Sequence, residues 1–304
     1  MRTTARSMEA VAAYGARPVS VDIARGRALS ETAERDSAGP HIGLSGLPLN
    51  HHMVADRLSL AHWPRGHQIV ICGLAGGTGR STMAGIVATV LTELPFAHIW
   101  PPIAVVDAAP QALGATMRRW DVVDPQGPEL VSLAPAPVST RPGAWALTGP
   151  TPWRQRRDFS ALVVDSPTGL PSELAAVTDD PQASIVLMTR PDRRSLADAA
   201  EALVWLNDRN LVARSRITVV INHGVGRPDR GSKAAATALG IRCAAIHSLP
   251  ADSTLGPDRV LPSGRDLPLR IRRRIARVCL DVWSQTQRPN PPAALSRPHH
   301  KEHT

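Results

Sequence analysis

Aromatic side chains make up only 3% of the 304 residues and Tyr14 is the sole tyrosine, so aliphatic residues must supply any core. Three cysteines, Cys72, Cys243 and Cys279, sit far apart in apolar contexts. None forms a C-x-x-C pair, and an odd count argues against a disulfide framework; a reducing cytoplasm is the simplest setting. Lysine is represented by Lys233 and Lys301 alone, whereas arginine, alanine and proline are heavily used. No run approaches 18 uninterrupted apolar residues, so no membrane-spanning helix is expected and any membrane contact would be peripheral. The opening MRTTARSMEAVAAYGARPVS lacks an apolar core of signal-peptide length.

What is present points to a folded protein. With 43% hydrophobic and 20% charged residues, the chain has enough apolar surface to form a core rather than remain disordered. The formal charge of +9 suits an anionic partner, whether nucleic acid, anionic lipid or nucleotide phosphate. An arginine-rich proteome would produce the same balance, so charge alone does not choose. Residues 1–65 mix Arg, Ser, Gly and Pro without a sustained period and read as a mostly disordered leader, with a short helix around 7–14. Residues 286–304 are rich in proline and histidine and read as a loose tail, in which His299, His300 and His303 are solvated rather than metal-holding. The folded domain is expected over 66–285.

Within it, apolar runs alternate with helical stretches. Strands are expected at 68–72, 103–106, 161–164, 184–188 and 217–221, with a sixth near 244–247. Helices are expected at 81–94 and at 195–207, the latter opening with a capping box from Ser195 to Asp198. Short Val- and Ile-rich strands separated by helices predict an α/β fold: a doubly wound, mostly parallel sheet with helices on both faces. Ligands bind such sheets at the carboxyl edge. The strand runs there end on Gly73, Asp107, Asp165 and Asn222.

Residues 75–82, Ala-Gly-Gly-Thr-Gly-Arg-Ser-Thr, lie between a strand and a helix. Gly76, Gly77 and Gly79 would let backbone amides approach phosphate oxygens, and the helix start behind them favours an anion. Ser81 is placed to ligate Mg²⁺. An ordinary glycine-rich turn would carry the same residues.

Gly76-Gly77-Thr78-Gly79-Arg80-Ser81-Thr82 resembles the deviant phosphate loop, KGGxGK[ST]T, of the ParA/MinD ATPases. The family's signature lysine, which reaches toward a partner subunit's nucleotide, falls on Ala75; its phosphate-pairing lysine falls on Arg80, a planar fork instead of a compact ammonium. The segment from Val105 to Gln111 resembles the first switch, VDxDPQ. Asp107 matches its first aspartate and is the candidate catalytic residue; the second, which orients the attacking water, falls on Ala109. The segment from Leu162 to Gly169 resembles the second switch, DxPxG, which makes Asp165 a Mg²⁺ residue beside Ser81. The resemblance further implies that Asn222 contacts adenine and that the segment Leu249-Pro250-Ala251-Asp252 closes over the base. It implies ATP and Mg²⁺ as cofactors. The substitutions at 75, 80 and 109 imply weak or absent hydrolysis.

Residues 265–283 contain LPLRIRRRIARVCLDVW. Ile271, Ile275, Val278, Cys279 and Val282 fall on one helical face, and Arg270, Arg273, Arg274 and Arg277 on another. Relatives in the resembled family use such regions against membranes or DNA; the plain alternative is the domain's last helix with its arginines in solvent. Trp120, Trp145 and Trp153 lie in a proline-punctuated stretch where partner-facing variation falls in that family, and a sheet-covering role fits them equally. Three functions stay open. One is a nucleotide switch that dimerises and positions a larger complex (partition, division site, pilus, conjugation or secretion). Another is a scaffold that has lost catalysis. The third, a small-molecule kinase or synthetase, lacks an identifiable substrate pocket.

Overall fold

The computed structural model describes residues 51–92, 103–108, 138–139, 145–148, 159–167, 183–208, 212–256, 259, 261–262 and 266–287. The expected helix near 7–14, most of the expected tail, Ala109, Gly169, Trp120 and Trp153 lie outside them. In chain order the described elements begin with α1 (His51–Ser59), β1 (His67–Gly73), α2 (Arg80–Thr92) and β2 (Ile103–Asp107). Then come β3 (Val138–Ser139), β4 (Trp145–Thr148), β5 (Ala161–Asp165), β6 (Ser184–Thr189) and α3 (Arg193–Asp208). The series ends with β7 (Ile217–Asn222), α4 (Ser232–Gly240), β8 (Ala245–Leu249) and α5 (Leu269–Thr286).

The strands form one sheet in the order β3-β4-β2-β5-β1-β6-β7-β8. Every neighbouring pair is parallel except β3 with β4, which is antiparallel at the edge. The chain winds outward from β1 through β2 to one edge, returns at β5, and crosses to β6 on the other side of β1. The carboxyl end of β1 is therefore the switch point, where a doubly wound sheet opens a crevice. The doubly wound, mostly parallel α/β fold expected from strand–helix alternation is the fold found.

Alternation along each strand decides which helix a side chain meets. Ile69, Ile71, Val105, Val163, Val186 and Val220 pack with α2 and α5 on one face. Val70, Ala104, Leu162, Ile185, Leu187 and Val219 pack with α3 and α4 on the other. Helix α2 has no polar stripe, because residues Met83 to Leu91 are buried between the sheet and α5. A helix covered on two sides needs apolar residues all round.

Three sequence expectations differ from the structure. The leader was expected to run to residue 65, yet α1 within it puts Val54 and Leu58 into the core beside α5, and Trp283 Nε1 donates to the His62 carbonyl at 3.4 Å. Nine residues amid glycine and proline carry too little periodicity to announce such a helix. The capping of α3 lies one turn before the expected Ser195–Asp198 box: Asp192 accepts from the Ser195 N–H and from its hydroxyl, both at 2.9 Å. Those bonds to the charged form hold the Asp192 carboxyl below its ordinary range. The arginines of α5 are not all left to solvent, since Arg270 pairs with Asp252 at 2.9 Å.

Candidate functional site

The turn from β1 to α2 is dictated by two glycines. Gly77 has φ +69° and Gly79 has φ +89°, a region that side-chain-bearing residues rarely enter. The loop folds back over the strand end so closely that a Cβ on Gly73 would meet Thr78 Oγ1 at 2.6 Å. Thr78 is buried under the loop, whereas Gly76 and Gly77 are exposed on top of it. Arg80, Ser81 and Thr82 form the first turn of α2 and are half-buried. The first turn's amides therefore lie at the switch point, at the positive end of the helix dipole.

The two strand-end aspartates come together beside this turn. Asp107 and Asp165 are register partners on β2 and β5, and Asp165 is in turn the partner of Ile71 on β1. Strands in a sheet lie about 4.8 Å apart. Because residues 103, 105, 161 and 163 face α2, alternation aims Asp107 and Asp165 to that same face. Both are buried, at 3% and 5% exposure. Two buried carboxylates side by side make a place suited to a cation. Among the described residues no group of three or more His, Cys, Asp or Glu gathers as a metal cage. The donor set suits a cation that keeps most of its waters and takes one or two carboxylates with a hydroxyl, the habit of Mg²⁺.

Three side-chain hydrogen bonds tie the loop to distant strand ends. Arg80 Nη1 donates to the carbonyl of Ser166, the residue after Asp165, so the guanidinium spans from α2 to the end of β5. Asn222, last in β7, donates from Nδ2 to the Thr78 carbonyl at 3.0 Å, and its Oδ1 accepts from the Gly224 N–H at 2.9 Å. The amide expected to read adenine thus holds loop backbone and the turn after β7. Pro250 follows β8 at the same edge, one residue beyond the Leu249 that pairs with Asn222. Asp252 N-caps the next turn by accepting from the Thr254 hydroxyl and N–H, at 2.7 and 3.0 Å. Those bonds, with Arg270, lower its carboxyl below the usual range.

Arg190, absent from the sequence expectations, is the third tie: its Nη2 donates to the Gly76 carbonyl at 2.9 Å. It directly follows β6, whose end is also on the carboxyl edge, and strand-end position is the signal that could have identified it. Also unforeseen is a buried pair on the α5 side, His247 Nε2 with Asp281 Oδ2 at 2.8 Å, which joins β8 to α5. The cysteines are set apart from this chemistry. Burial pushes Cys72 and Cys279 up to about 12 and Cys243 to about 11, so they stay protonated thiols.

No protein-family model matches the chain, and no curated protein matches it. Solved structures do. The cell division ATPase MinD of Pyrococcus furiosus superposes with a TM-score of 0.53 at 18% identity, over 71% of this chain and 98% of its own. McdA of Cyanothece, as an ATP complex, does so with a TM-score of 0.51 at 15% identity, over 73% of this chain and 96% of its own. At such identities the likeness is one of fold, the fold that MinD and McdA share with this chain. No described helix is long and apolar enough to cross a membrane.

Proposed function

We propose that this chain, built on the ParA/MinD-type P-loop fold, binds ATP and acts as a switch or scaffold that positions or assembles a larger complex. The observation that carries this reading is the juxtaposition at one sheet edge of the Gly77–Gly79 turn with the register pair Asp107 and Asp165. In this reading the amides of Gly76, Gly77, Thr78 and Gly79, with those of Arg80, Ser81 and Thr82, cradle the phosphates, and the Arg80 guanidinium neutralises their charge. Ser81 and Asp165 hold Mg²⁺, which when bound supplies further neutralisation at the phosphates. Asn222 and Pro250 border the base.

Asp107 is the carboxylate left to act on a nucleophile, because residue 109 is alanine and a methyl group cannot orient water. Hydrolysis is accordingly weak or absent, and Ala75 carries no charge to offer a second subunit, so any nucleotide-dependent homodimer is loose. The reading places the protein in the cytoplasm, peripheral to the membrane or nucleoid. Arg273 and Arg274, exposed on α5, are the side chains that would meet anionic lipid or DNA. The neighbours' names carry division and ATP binding; a cargo for this chain is proposed by analogy of fold alone. A scaffold without catalysis is the second reading, favoured by the Arg80 bond to Ser166, which spends a phosphate-binding group on protein backbone.

Calorimetry with ATP and ADP in Mg²⁺, beside steady-state phosphate release, tests both. The full chain should bind nucleotide with little or no turnover, and Arg80→Lys combined with Ala109→Asp should raise turnover. Absence of binding would refute the first reading. Hydrolysis as fast as that of active ParA/MinD ATPases, from the unaltered chain, would refute the claim of lost catalysis.

A further inference from the structure

Residues 75–82 contain a single cation, Arg80, and its Nη1 is engaged with Ser166. Among the described residues, a second cation touches the loop from 114 positions away: Arg190, through its 2.9 Å bond to the Gly76 carbonyl. The peptide bond between Gly76 and Gly77 is trans, as no described peptide is cis. In a planar trans peptide the C=O and the N–H point in opposite directions. Holding the Gly76 oxygen against Arg190 therefore turns the Gly77 N–H away from it. Asn222 does the same two peptide units further on: it holds the Thr78 oxygen and turns the Gly79 N–H away. The two glycines so oriented are the loop's two with positive φ.

Arg190 is also packed where it acts. A Cβ on Gly77 would stand 3.2 Å from its Nη2, and among the described residues its buried Nε has no hydrogen-bond partner. The neighbouring carboxylate, Asp192, is committed to the N-cap of α3. We infer that Arg190 is a positioning residue of the phosphate site: from the end of β6 it fixes the Gly76–Gly77 peptide so that the Gly77 N–H faces a bound phosphate group. The inference rests on the nucleotide-binding reading above and deepens it.

The full chain and its Arg190→Ala and Arg190→Lys variants would be titrated with Mg²⁺–ADP by calorimetry and melted without nucleotide. Removing a charge-assisted bond that orders a phosphate-binding amide should weaken ADP binding by about tenfold. Arg190→Lys, which keeps a cationic donor for Gly76, should recover most of it, and the melting temperatures without nucleotide should agree within about 2 °C. If the unaltered chain binds ADP and Arg190→Ala binds it equally well, the positioning role is overturned while the function stands. If Arg190→Ala loses binding only together with several degrees of melting temperature, Arg190 is a stability residue and the inference is likewise overturned. If the unaltered chain binds no ADP, the function and the inference fall together.

Discussion

Asn222 Nδ2 occupies the space a side chain on Gly79 would need: a Cβ built there would stand 2.3 Å from it. Gly79 also has φ +89°, so its replacement meets a clash and a strained backbone at once. Gly79→Ala should destabilise the fold by about 1–3 kcal/mol and abolish nucleotide binding. Gly76 is the control within the same loop, with no positive φ and nothing within 4 Å of an added Cβ. Gly76→Ala should leave urea denaturation near that of the unaltered chain. Equal behaviour of the two variants would contradict this account of the loop.

His67 gives the fold a pH dependence of known sign. It is buried at the start of β1, with Nε2 3.1 Å from Ser184 Oγ, and burial followed by the Arg216 charge lowers its pKa from 6.5 to about 3. The unfolded chain then binds the extra proton between those values, so this contribution to stability is intact above about pH 6.5 and is lost as the pH falls toward about 3. Its slope is at most about 1.4 kcal/mol per pH unit. Urea denaturation at pH 7, 6 and 5 should show this fall, and His67→Gln should flatten it. An unchanged slope in the variant would assign the effect to other groups.

Helix α5 separates stability from surface chemistry. Ile275 is fully buried against the sheet and α2, so Ile275→Ala should cost about 2–5 kcal/mol. Arg273 and Arg274 are exposed, and replacing both with alanine should change stability by no more than about 0.5 kcal/mol each. The same double variant should lose binding to anionic vesicles or to a DNA fragment, read by sedimentation or anisotropy, if those arginines meet an anionic surface. Retained binding would remove α5 from that role.

The fold was legible because its signal is local. Strands β1, β2, β5, β6 and β7 are buried on both faces, and continuous Val and Ile runs are the sequence form of that burial. Their carboxyl ends announced Gly73, Asp107, Asp165 and Asn222. Missed were α1 and α4, nine residues each, and β3 and β4, of two and four residues at one side of the sheet. Each is too short to show a period, and α1 and β4 are held by α5 and β2, remote in the chain.

By itself, then, the order of residues determined the strand–helix alternation, the glycine turn after β1 and the carboxylates that end β2 and β5. Backbone conformation and burial are imposed by near neighbours, and these features follow from them. Only the tertiary structure decided which groups meet. It set Asp107 level with Asp165, pinned Thr78 to Asn222 and Gly76 to Arg190, and buried His247 against Asp281. Those contacts depend on strand order, and strand order is settled by how the whole sheet packs, not by any stretch of the chain read alone.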